Sequence, residues 1–344
     1  MIPSRFIYCD SSKIGRLAAA LLLALTVSAA AERSAGAEPD ATTSATSTNW
    51  VQITTPVAPS PRCYSAMTYD RDSGKTILFG GFDGTKYLHD TWSFDGQTWK
   101  KLFPPTAPTA RTAAQMAYDA NAHRVVLFGG YDGTNHLGDT WLWDGATSTW
   151  QKATPKHSPT KATSPMLFTD PLNGSVDKIG GYDGRYYQYT MWQWTGSDWK
   201  ELNPETMPTA RSSASVGVNL KTKRVVMFGG LADINPVNTW VYDGTTWTQQ
   251  NPTTQLPWVY GGVGVYQPNA LHGKVLIFGG ASAGQAQDTT WRWLGSTWKH
   301  VQTATKPLAR EGAGVAFDEA SGNSVIFGGQ NGPALLNDTW KLTP

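Results

Sequence analysis

The segment RVVLFGGYDGTNHLGDTWLW, residues 124–143, is one of six related copies along a chain of 344 residues. In each copy an apolar run ends in two glycines, and a tryptophan follows about eleven residues later. The first glycines of the pairs lie 49 to 51 residues apart; they are Gly80, Gly129, Gly180, Gly229, Gly279 and Gly328. A fixed signature with a period near 50 residues is typical of a repeat architecture in which each copy forms one structural unit.

Each copy predicts four short β strands. In the second copy they fall at residues 112–118, 124–128, 139–143 and 148–152. The Asp144-Gly145 pair lies between the last two, and Asp-Gly is a strong hairpin signal because glycine readily adopts a positive φ. Short apolar runs, 12% aromatic residues and 16 tryptophans also favour a β-rich protein. Four antiparallel strands per copy predict one propeller blade.

The two ends of the chain predict how the ring of blades closes. The sixth copy stops after Trp340 and lacks a fourth strand. The missing strand matches the segment Asn49-Trp50-Val51-Gln52, which resembles the fourth-strand tryptophan segments. We therefore expect the N-terminal strand to complete the last blade, which removes an open sheet edge.

The repeated glycines and tryptophans have a structural interpretation. Each glycine pair ends a strand where backbone of the neighbouring blade approaches and a side chain would clash. One tryptophan on the third strand and one on the fourth recur in the copies, which indicates packing between adjacent blades. We therefore look for function where the copies differ from one another.

The glycine pair after an apolar strand, the Asp-Gly turns and the paired aromatics at this period resemble the kelch repeat. The resemblance covers residues 49–344 and implies an all-β fold, a six-bladed propeller with four-stranded antiparallel blades. It implies function less specifically, because kelch propellers serve as interaction modules, carbohydrate-active enzymes and specifier proteins.

Residues 1–37 do not follow the repeat. Arg5, Lys13 and Arg16 precede an apolar stretch at 17–31, and small residues follow. This pattern predicts a secretory signal peptide, cleaved after Ala31 or Ala37, and hence a secreted, periplasmic or extracellular protein. An N-terminal membrane anchor is the alternative; without it we expect no stable membrane insertion. Residues 38–48 form a Thr/Ser/Ala-rich linker, and 49–344 form the propeller.

The net charge argues against a nucleic-acid partner. The chain has 28 basic and 26 acidic residues, and residues 1–37 contain four and two of them, which leaves 24 of each. A neutral mature chain has no basic surface excess for nucleic acid or anionic membranes. We expect a monomer that binds a carbohydrate, an anionic small molecule or an extracellular protein.

Four arginines stand at equivalent positions before the inner strands: Arg62, Arg111, Arg211 and Arg310. Copy three has Ala162 there, and copy five offers Val259 or Tyr260. If the arginines converge at the channel mouth, they predict a site for carboxylate, sulfate or phosphate, since a guanidinium fork matches these groups. The alternative is that each arginine only bonds backbone carbonyls of a neighbouring loop.

The loops after the glycine pairs differ most among the copies. Copy three is the richest in aromatics, with Tyr186, Tyr187 and Tyr189, and copy two contributes His136. Tyrosine has an apolar face and a polar tip, which suits sugar or peptide recognition. We count these residues with the arginines as candidate ligand-binding residues on the face that carries the loops.

Catalysis has one candidate, Glu311, which follows Arg310 and could transfer protons at the channel mouth. An enzyme resembling an acidic-sugar epimerase would use such an arginine and carboxylate set. Copper chemistry of the galactose oxidase type would need a cysteine cross-linked to tyrosine and further tyrosine and histidine ligands, which Cys63 beside Tyr64 does not establish. We expect no metal and no cofactor, because the six histidines form no ligand motif.

The sequence thus favours an exported, non-catalytic kelch propeller that binds a carbohydrate or protein on the loop face around its channel. A carbohydrate-active enzyme is the alternative.

Overall fold

The structure, a computed structural model, describes residues 48–234, 236–269 and 273–343. Within these ranges the chain is all β, with 28 strands and no helix. No helix in the described ranges is therefore long and apolar enough to cross a membrane. The predicted signal peptide and all but the last residue of the predicted linker lie outside the described residues.

Twenty-four of the strands form six four-stranded antiparallel sheets, and four two-residue strands form two small hairpins. In chain order the strands are β1 (Asn49–Ile53), β2 (Ala66–Asp70), β3 (Lys75–Phe79), β4 (Thr91–Phe94), β5 (Trp99–Leu102), β6 (Gln115–Asp119), β7 (Arg124–Phe128), β8 (Thr140–Asp144), β9 (Thr149–Lys152), β10 (Met166–Thr169), β11 (Val176–Ile179), β12 (Met191–Trp194), β13 (Trp199–Leu202), β14 (Ser215–Asn219), β15 (Arg224–Phe228), β16 (Thr239–Tyr242), β17 (Trp247–Gln250), β18 (Val263–Gln267), β19 (Lys274–Phe278), β20 (Ala281–Ser282), β21 (Gln285–Ala286), β22 (Thr290–Trp293), β23 (Trp298–Val301), β24 (Gly314–Asp318), β25 (Asn323–Phe327), β26 (Gln330–Asn331), β27 (Ala334–Leu335) and β28 (Thr339–Thr343).

The six sheets are the blades of a propeller, as the sequence predicts. Blades 1 to 4 are β2–β5, β6–β9, β10–β13 and β14–β17; blade 5 is β18, β19, β22 and β23; blade 6 is β24, β25, β28 and β1. The first strands of neighbouring blades lie side by side around the central axis. In the second strand, β7 for example, four of five residues are buried, because neighbouring blades cover both faces of the sheet.

The N-terminal strand closes the ring, which confirms the prediction from the chain ends. β1 pairs antiparallel with β28, and Trp50 lies opposite Leu342. Trp50 is fully buried between blades 6 and 5. The outermost strands otherwise carry exposed polar residues, as in the Gln151-Lys152 end of β9, and such residues discourage pairing with another sheet edge.

The fourth-strand tryptophans tie each blade to the preceding one. Trp150 of blade 2 donates its indole N–H to the Thr91 hydroxyl of blade 1 at 3.0 Å. The same bond to a third-strand residue recurs around the ring, in the pairs Trp99–Thr339, Trp199–Thr140, Trp247–Met191, Trp298–Thr239 and Trp50–Thr290. The predicted packing role of these tryptophans is confirmed.

The glycine pairs lie where two blades meet, as predicted. A Cβ on Gly129 would stand 2.3 Å from the carbonyl oxygen of Ala162 in the next blade, and Gly130 donates its N–H to that oxygen at 2.8 Å. All six pairs make this contact, and a Cβ added to the first glycine would stand 2.2–2.7 Å from the carbonyl oxygen of the next blade. The close approach of the two backbones explains why each copy needs glycine here.

A closed ring of six backbone hydrogen bonds surrounds the channel. In each bond the N–H of one blade donates to the carbonyl of a neighbour at 2.6–3.0 Å; the residues in ring order are Tyr64, Gly312, Gly261, Ser213, Ser164 and Ala113. All six have left-handed backbone, with φ from 46° to 64°. Four are not glycine, so this ring stores conformational strain that the closed topology must hold.

Candidate functional site

One face of the propeller carries both variable sets of loops. The segment that enters each inner strand pairs with the segment after the glycine pair of the same blade, as in the Thr112–Tyr131 and Thr163–Tyr182 bridges. We call this the loop face. Both kinds of segment are therefore on one side of the ring, as the kelch resemblance implies.

The four arginines are buried in their blades, each about 1% exposed. Arg111 donates to the Gly129 carbonyl at 3.0 Å and forms a bidentate pair with Asp139 at 2.6 and 3.0 Å. Asp139 immediately precedes β8, the third strand of its blade, so the guanidinium points outward along the blade. The expected convergence of guanidinium groups at the channel mouth is therefore wrong, because acceptors within each blade hold them, a carboxylate for three of the arginines and the Asn238 amide for Arg211.

The arginine belongs to a three-residue relay in blades 1, 2 and 6. The aspartate that binds the guanidinium also accepts the indole N–H of the third-strand tryptophan at 2.6–2.8 Å. The relays are Arg62–Asp90–Trp92, Arg111–Asp139–Trp141 and Arg310–Asp338–Trp340. Burial alone would raise the pKa of each aspartate, but the hydrogen bonds and charge of the arginine hold it below the ordinary value.

Blades 3, 4 and 5 depart from this relay. In blade 4 Asn238 replaces the aspartate, so Arg211 bonds only neutral acceptors, and burial lowers its pKa to about 10. Blade 5 has Val259 and Thr289 in these positions. The sequence contained the signal for this relay, because an acidic residue follows 28 positions after the arginine only in the copies with a complete relay.

Blade 3 lacks the arginine and the aspartate of the relay and has two buried ionisable residues instead. Lys178, fully buried on β11, donates to the Gln188 side chain at 2.7 Å, and Gln188 donates to the Lys161 carbonyl at 2.8 Å. Burial lowers the pKa of Lys178 to about 7. Asp177 precedes it on the opposite face of the strand, and burial raises its pKa to about 8.

Six aromatic rings form a continuous arc on the loop face across blades 1 to 3. We call the set the aromatic arc; its members are Phe82, Tyr87, Tyr131, His136, Tyr182 and Tyr187. Consecutive ring centroids are 5.0–5.9 Å apart. Five of the rings are half-buried, and Tyr182 is buried. The structure thus places two predicted site residues, His136 and Tyr187, in one surface together with four that sequence reasoning missed.

The arc depends on glycine in the next blade. A Cβ on Gly133 would lie 2.5 Å from the Tyr87 ring, and one on Gly184 would lie 2.7 Å from the His136 ring. The Asp-Gly segments therefore serve as platforms for the rings as well as turns. In blade 6 Leu335 takes the place of the ring and packs over Gly84, which shows where the arc stops.

The other predicted loop residues flank the arc. Tyr186 and Tyr189 are 58% and 64% exposed, and the Arg185 guanidinium lies 4.9 Å above the Tyr186 ring. His136 Nδ1 lies 2.6 Å from the Thr163 hydroxyl. Burial and the charge of Lys161 hold the pKa of His136 below its ordinary value. Blade 3 therefore presents an exposed cation and two exposed phenols beside the end of the arc.

Glu311 lies in a separate cluster at the junction of blades 5, 6 and 1. It is 7% exposed, and its carboxylate accepts hydrogen bonds from Tyr64 and from Gln330, both at 2.9 Å. Burial raises its pKa above the ordinary value. The Tyr64 ring crosses Gly312, where a Cβ would lie 2.7 Å from it, so the cluster fixes Tyr64 at the channel mouth. The channel encloses about 240 Å³.

The described residues contain no group of three histidine, cysteine, aspartate or glutamate side chains that could hold a metal. The fold and the loop face define a six-bladed propeller of the kelch class. Residues 40–230, more than half of the chain, match the model of the KLHDC2/KLHL20/DRC7 Kelch-repeats domain. The chain therefore belongs to this kelch-repeat family. None of the curated proteins compared with it matches it.

Proposed function

We propose that this protein is a non-catalytic binding module that takes a carbohydrate on its loop face, across the aromatic arc. The kelch propeller fold is consistent with an interaction module. The observation that carries the choice of ligand is the arc, whose six rings run without a break over three blades. Aromatic faces pack against the C–H faces of sugar rings, and the phenol hydroxyls supply hydrogen bonds at the rim.

Two arrangements support a binding surface over an active site. The carboxylate of Glu311 bonds two neutral donors, Tyr64 and Gln330, and the structure describes no imidazole or second carboxylate in contact with it. The arginines are engaged in their own blades. The enzyme alternative would need Glu311 as its proton-transfer group, so Glu311→Gln would abolish turnover of an acidic sugar while sparing binding.

A protein ligand is the second candidate, favoured by exposed aliphatic side chains next to blade 3. Ile234 and Val237 are 87% and 50% exposed in the corresponding loop of blade 4. Exposed apolar residues beside tyrosines are typical of protein interfaces. Binding of a protein ligand would depend on Ile234, whereas binding of a sugar would depend on the aromatic arc.

Export is part of the proposal, since a secreted propeller meets extracellular glycans. The signal-like pattern of residues 1–37 supports it. Mass spectrometry of protein from the exported fraction should find the N-terminus at Glu32 or Glu38. An intact N-terminus at Met1 would count against export.

The test uses calorimetric titration of the purified protein with a panel of neutral oligosaccharides. The arc variant is Tyr87→Leu, which copies the Leu335 contact of blade 6 and so keeps the packing over Gly133. We expect its affinity to fall at least tenfold with a melting temperature within two or three degrees of wild type. Tyr186→Ala with Tyr189→Ala tests the rim in the same way.

The control is Phe103→Ala, which removes an equally large aromatic side chain that is 84% exposed beyond β5, outside the arc. It should leave affinity unchanged. The proposal is wrong if no oligosaccharide of the panel binds, or if Tyr87→Leu binds as tightly as wild type. Loss of binding to a protein ligand on Ile234→Ser, with no sugar bound, would favour the second candidate.

A further inference from the structure

The buried charges of the blades are unequal, and the fully buried basic residues without a carboxylate partner among the described residues lie in blades 3 and 4. In blades 1, 2 and 6 an aspartate neutralises each buried arginine and accepts two hydrogen bonds from its guanidinium, the shorter at 2.6–2.7 Å. In blade 4 the acceptor is the neutral Asn238, at 3.0 Å from Arg211. Arg211 is 1% exposed, and its remaining acceptors are the carbonyls of Thr209 and Gly229 and the Thr209 hydroxyl. Among its described residues, blade 4 therefore offers no carboxylate partner to the positive charge of Arg211.

Blade 3 adds a second buried basic group, Lys178, which is only partly protonated near pH 7 because burial lowers its pKa to about 7. Lys178 donates to the amide oxygen of Gln188, and Thr190 stands where other blades have the aspartate. No ion pair in the described part of the chain involves Lys178 or Arg211. The neighbouring Asp177 does not pair with Lys178, because the Asp177 side chain lies on the other face of β11 and accepts a hydrogen bond from the Gln193 amide.

The exposed charges of the same two blades do not cancel this excess. On the loop face, blades 3 and 4 carry two exposed basic residues, Lys161 and Arg185. They also carry two acidic residues there, Asp183 and Asp233. Asp183 binds the backbone N–H groups of its own turn at 2.7 Å. The surface charges on this face thus balance, and the buried Arg211, with a smaller contribution from Lys178, leaves the loop-face side of the two blades positive. The buried carboxylate of Asp170 lies at the far end of blade 3, in the turn between β10 and β11.

We propose that the loops of blades 3 and 4 bind the acidic group of an anionic saccharide, a uronate in particular, whose chain continues over the aromatic arc. This inference rests on the carbohydrate binding proposed above and adds the charge of the ligand and its direction on the face. The acidic end lies over blades 3 and 4, and neutral residues of the sugar lie over blades 1 and 2.

The arrangement gives two cations different roles. Arg185 is exposed and held against the Tyr186 ring, so its planar fork meets a carboxylate directly. Arg211 is buried and contributes its charge through a low-dielectric blade, where screening by salt is weaker than at the surface. Tyr187, the last ring of the arc, belongs to the same loop as Arg185.

The experiment compares oligogalacturonate with a neutral oligosaccharide of the same length at low and high salt. We expect the uronate to bind at least tenfold more tightly at low salt and to lose part of this advantage at high salt, because salt screens the exposed Arg185 more than the buried Arg211. Asn238→Asp supplies the aspartate that blade 4 lacks and neutralises Arg211. We expect it to reduce the affinity for the uronate about three- to fivefold and to leave binding of the neutral sugar unchanged.

The matched control is Asn331→Asp, which introduces the same charge at an exposed position of blade 6 on the loop face. It should change neither affinity. Equal binding of uronate and neutral sugar, or equal loss of both in Asn238→Asp, would overturn this inference and leave the proposed function standing. Absence of binding to either sugar would instead remove the proposed function itself.

Discussion

Trp50 donates its indole N–H to the Thr290 hydroxyl at 3.1 Å, across 240 positions of sequence. The bond is the counterpart of Trp150 to Thr91, which links blades 2 and 1 at 3.0 Å. The N-terminal strand is therefore held in blade 6 by the same contact that joins the other blades. Closure of the propeller ring therefore depends on one short strand, β1, at the N-terminal end of the propeller.

We expect Trp50→Ala to destabilise the whole propeller. The substitution removes a fully buried indole from the junction of blades 5 and 6 and should cost about 3–5 kcal/mol of unfolding free energy. Chemical unfolding followed by tryptophan fluorescence measures this loss. Trp50→Phe keeps a ring but loses the bond to Thr290, and should cost roughly 1–2 kcal/mol. A single transition near wild type for Trp50→Ala, or for deletion of residues 38–56, would contradict the closure role.

The ring of residues with left-handed backbone predicts opposite effects on stability for two substitutions. Ser213 has φ 53° and is half-buried, so Ser213→Gly should stabilise by about 0.5–1 kcal/mol because glycine relieves the strain. Gly312→Ala should destabilise by more than about 1 kcal/mol, since the new Cβ meets the Tyr64 ring at 2.7 Å. Thermal unfolding of both variants checks the pair; the same sign for both would be inconsistent with strain in the ring.

The relay of blade 2 predicts a stability loss with a defined pH dependence. Asp139→Asn leaves the buried Arg111 without its counter-charge and should cost about 2–4 kcal/mol at pH 7. Because Arg111 holds the pKa of Asp139 below its ordinary value, the relay stabilises above pH 4 and its contribution is lost as the pH falls through that lowered pKa. The deficit of the variant should therefore shrink in acid, as measured by urea unfolding between pH 2 and 7.

Blade 4 offers the reverse substitution. Asn238→Asp creates the carboxylate that Arg211 lacks and offers an acceptor to the Trp240 indole N–H, which has no partner among the described residues. We expect stabilisation by about 1–2 kcal/mol at pH 7. A lower melting temperature would show that this blade cannot accept the charge.

Asp177 predicts a stability loss toward alkaline pH. Burial raises its pKa from 3.8 to about 8. Its favourable contribution is complete below pH 4 and is lost as the pH rises through about 8, because the folded state resists ionisation. Asp177→Asn should therefore be more stable than wild type at pH 9, on the order of 3 kcal/mol or more, and nearly equal to it at pH 4. Equal pH profiles of the two proteins would contradict this.

The buried Lys178 predicts a stability loss toward acidic pH, the opposite of the dependence expected for Asp177. Burial lowers its pKa from 10.5 to about 7, so stability present above pH 10.5 is lost as the pH falls through about 7. Replacing Lys178 and Gln188 together by leucine copies Leu78 and Leu88 of blade 1 and avoids an unpaired amide. We expect the double variant to exceed wild type in stability at pH 6, with a difference that narrows toward pH 10. A difference that grows with pH would be inconsistent with a buried lysine that resists protonation.

The blade pattern was predictable because its causes are local in sequence. An apolar second strand, an Asp-Gly turn and a tryptophan every 50 residues each reflect a contact that every blade repeats. Even ring closure was predictable, since Trp50 carries the fourth-strand pattern that the sixth copy lacks. The candidate site was predictable only in part. His136 and Tyr187 stood out as irregular loop residues, whereas Phe82 and Tyr131 follow the glycine pair like ordinary repeat positions.

The sequence by itself determined the number of blades, their strands and the closure of the ring, because these depend on repeated short-range patterns and on steric need for glycine. Only the tertiary structure decided the direction of the arginines and the union of six rings into one arc. Those properties depend on which side chains of different copies meet, and no spacing along the chain encodes the distance between Tyr87 and Tyr131. The same holds for the charge of blades 3 and 4, which depends on whether a carboxylate reaches each buried cation.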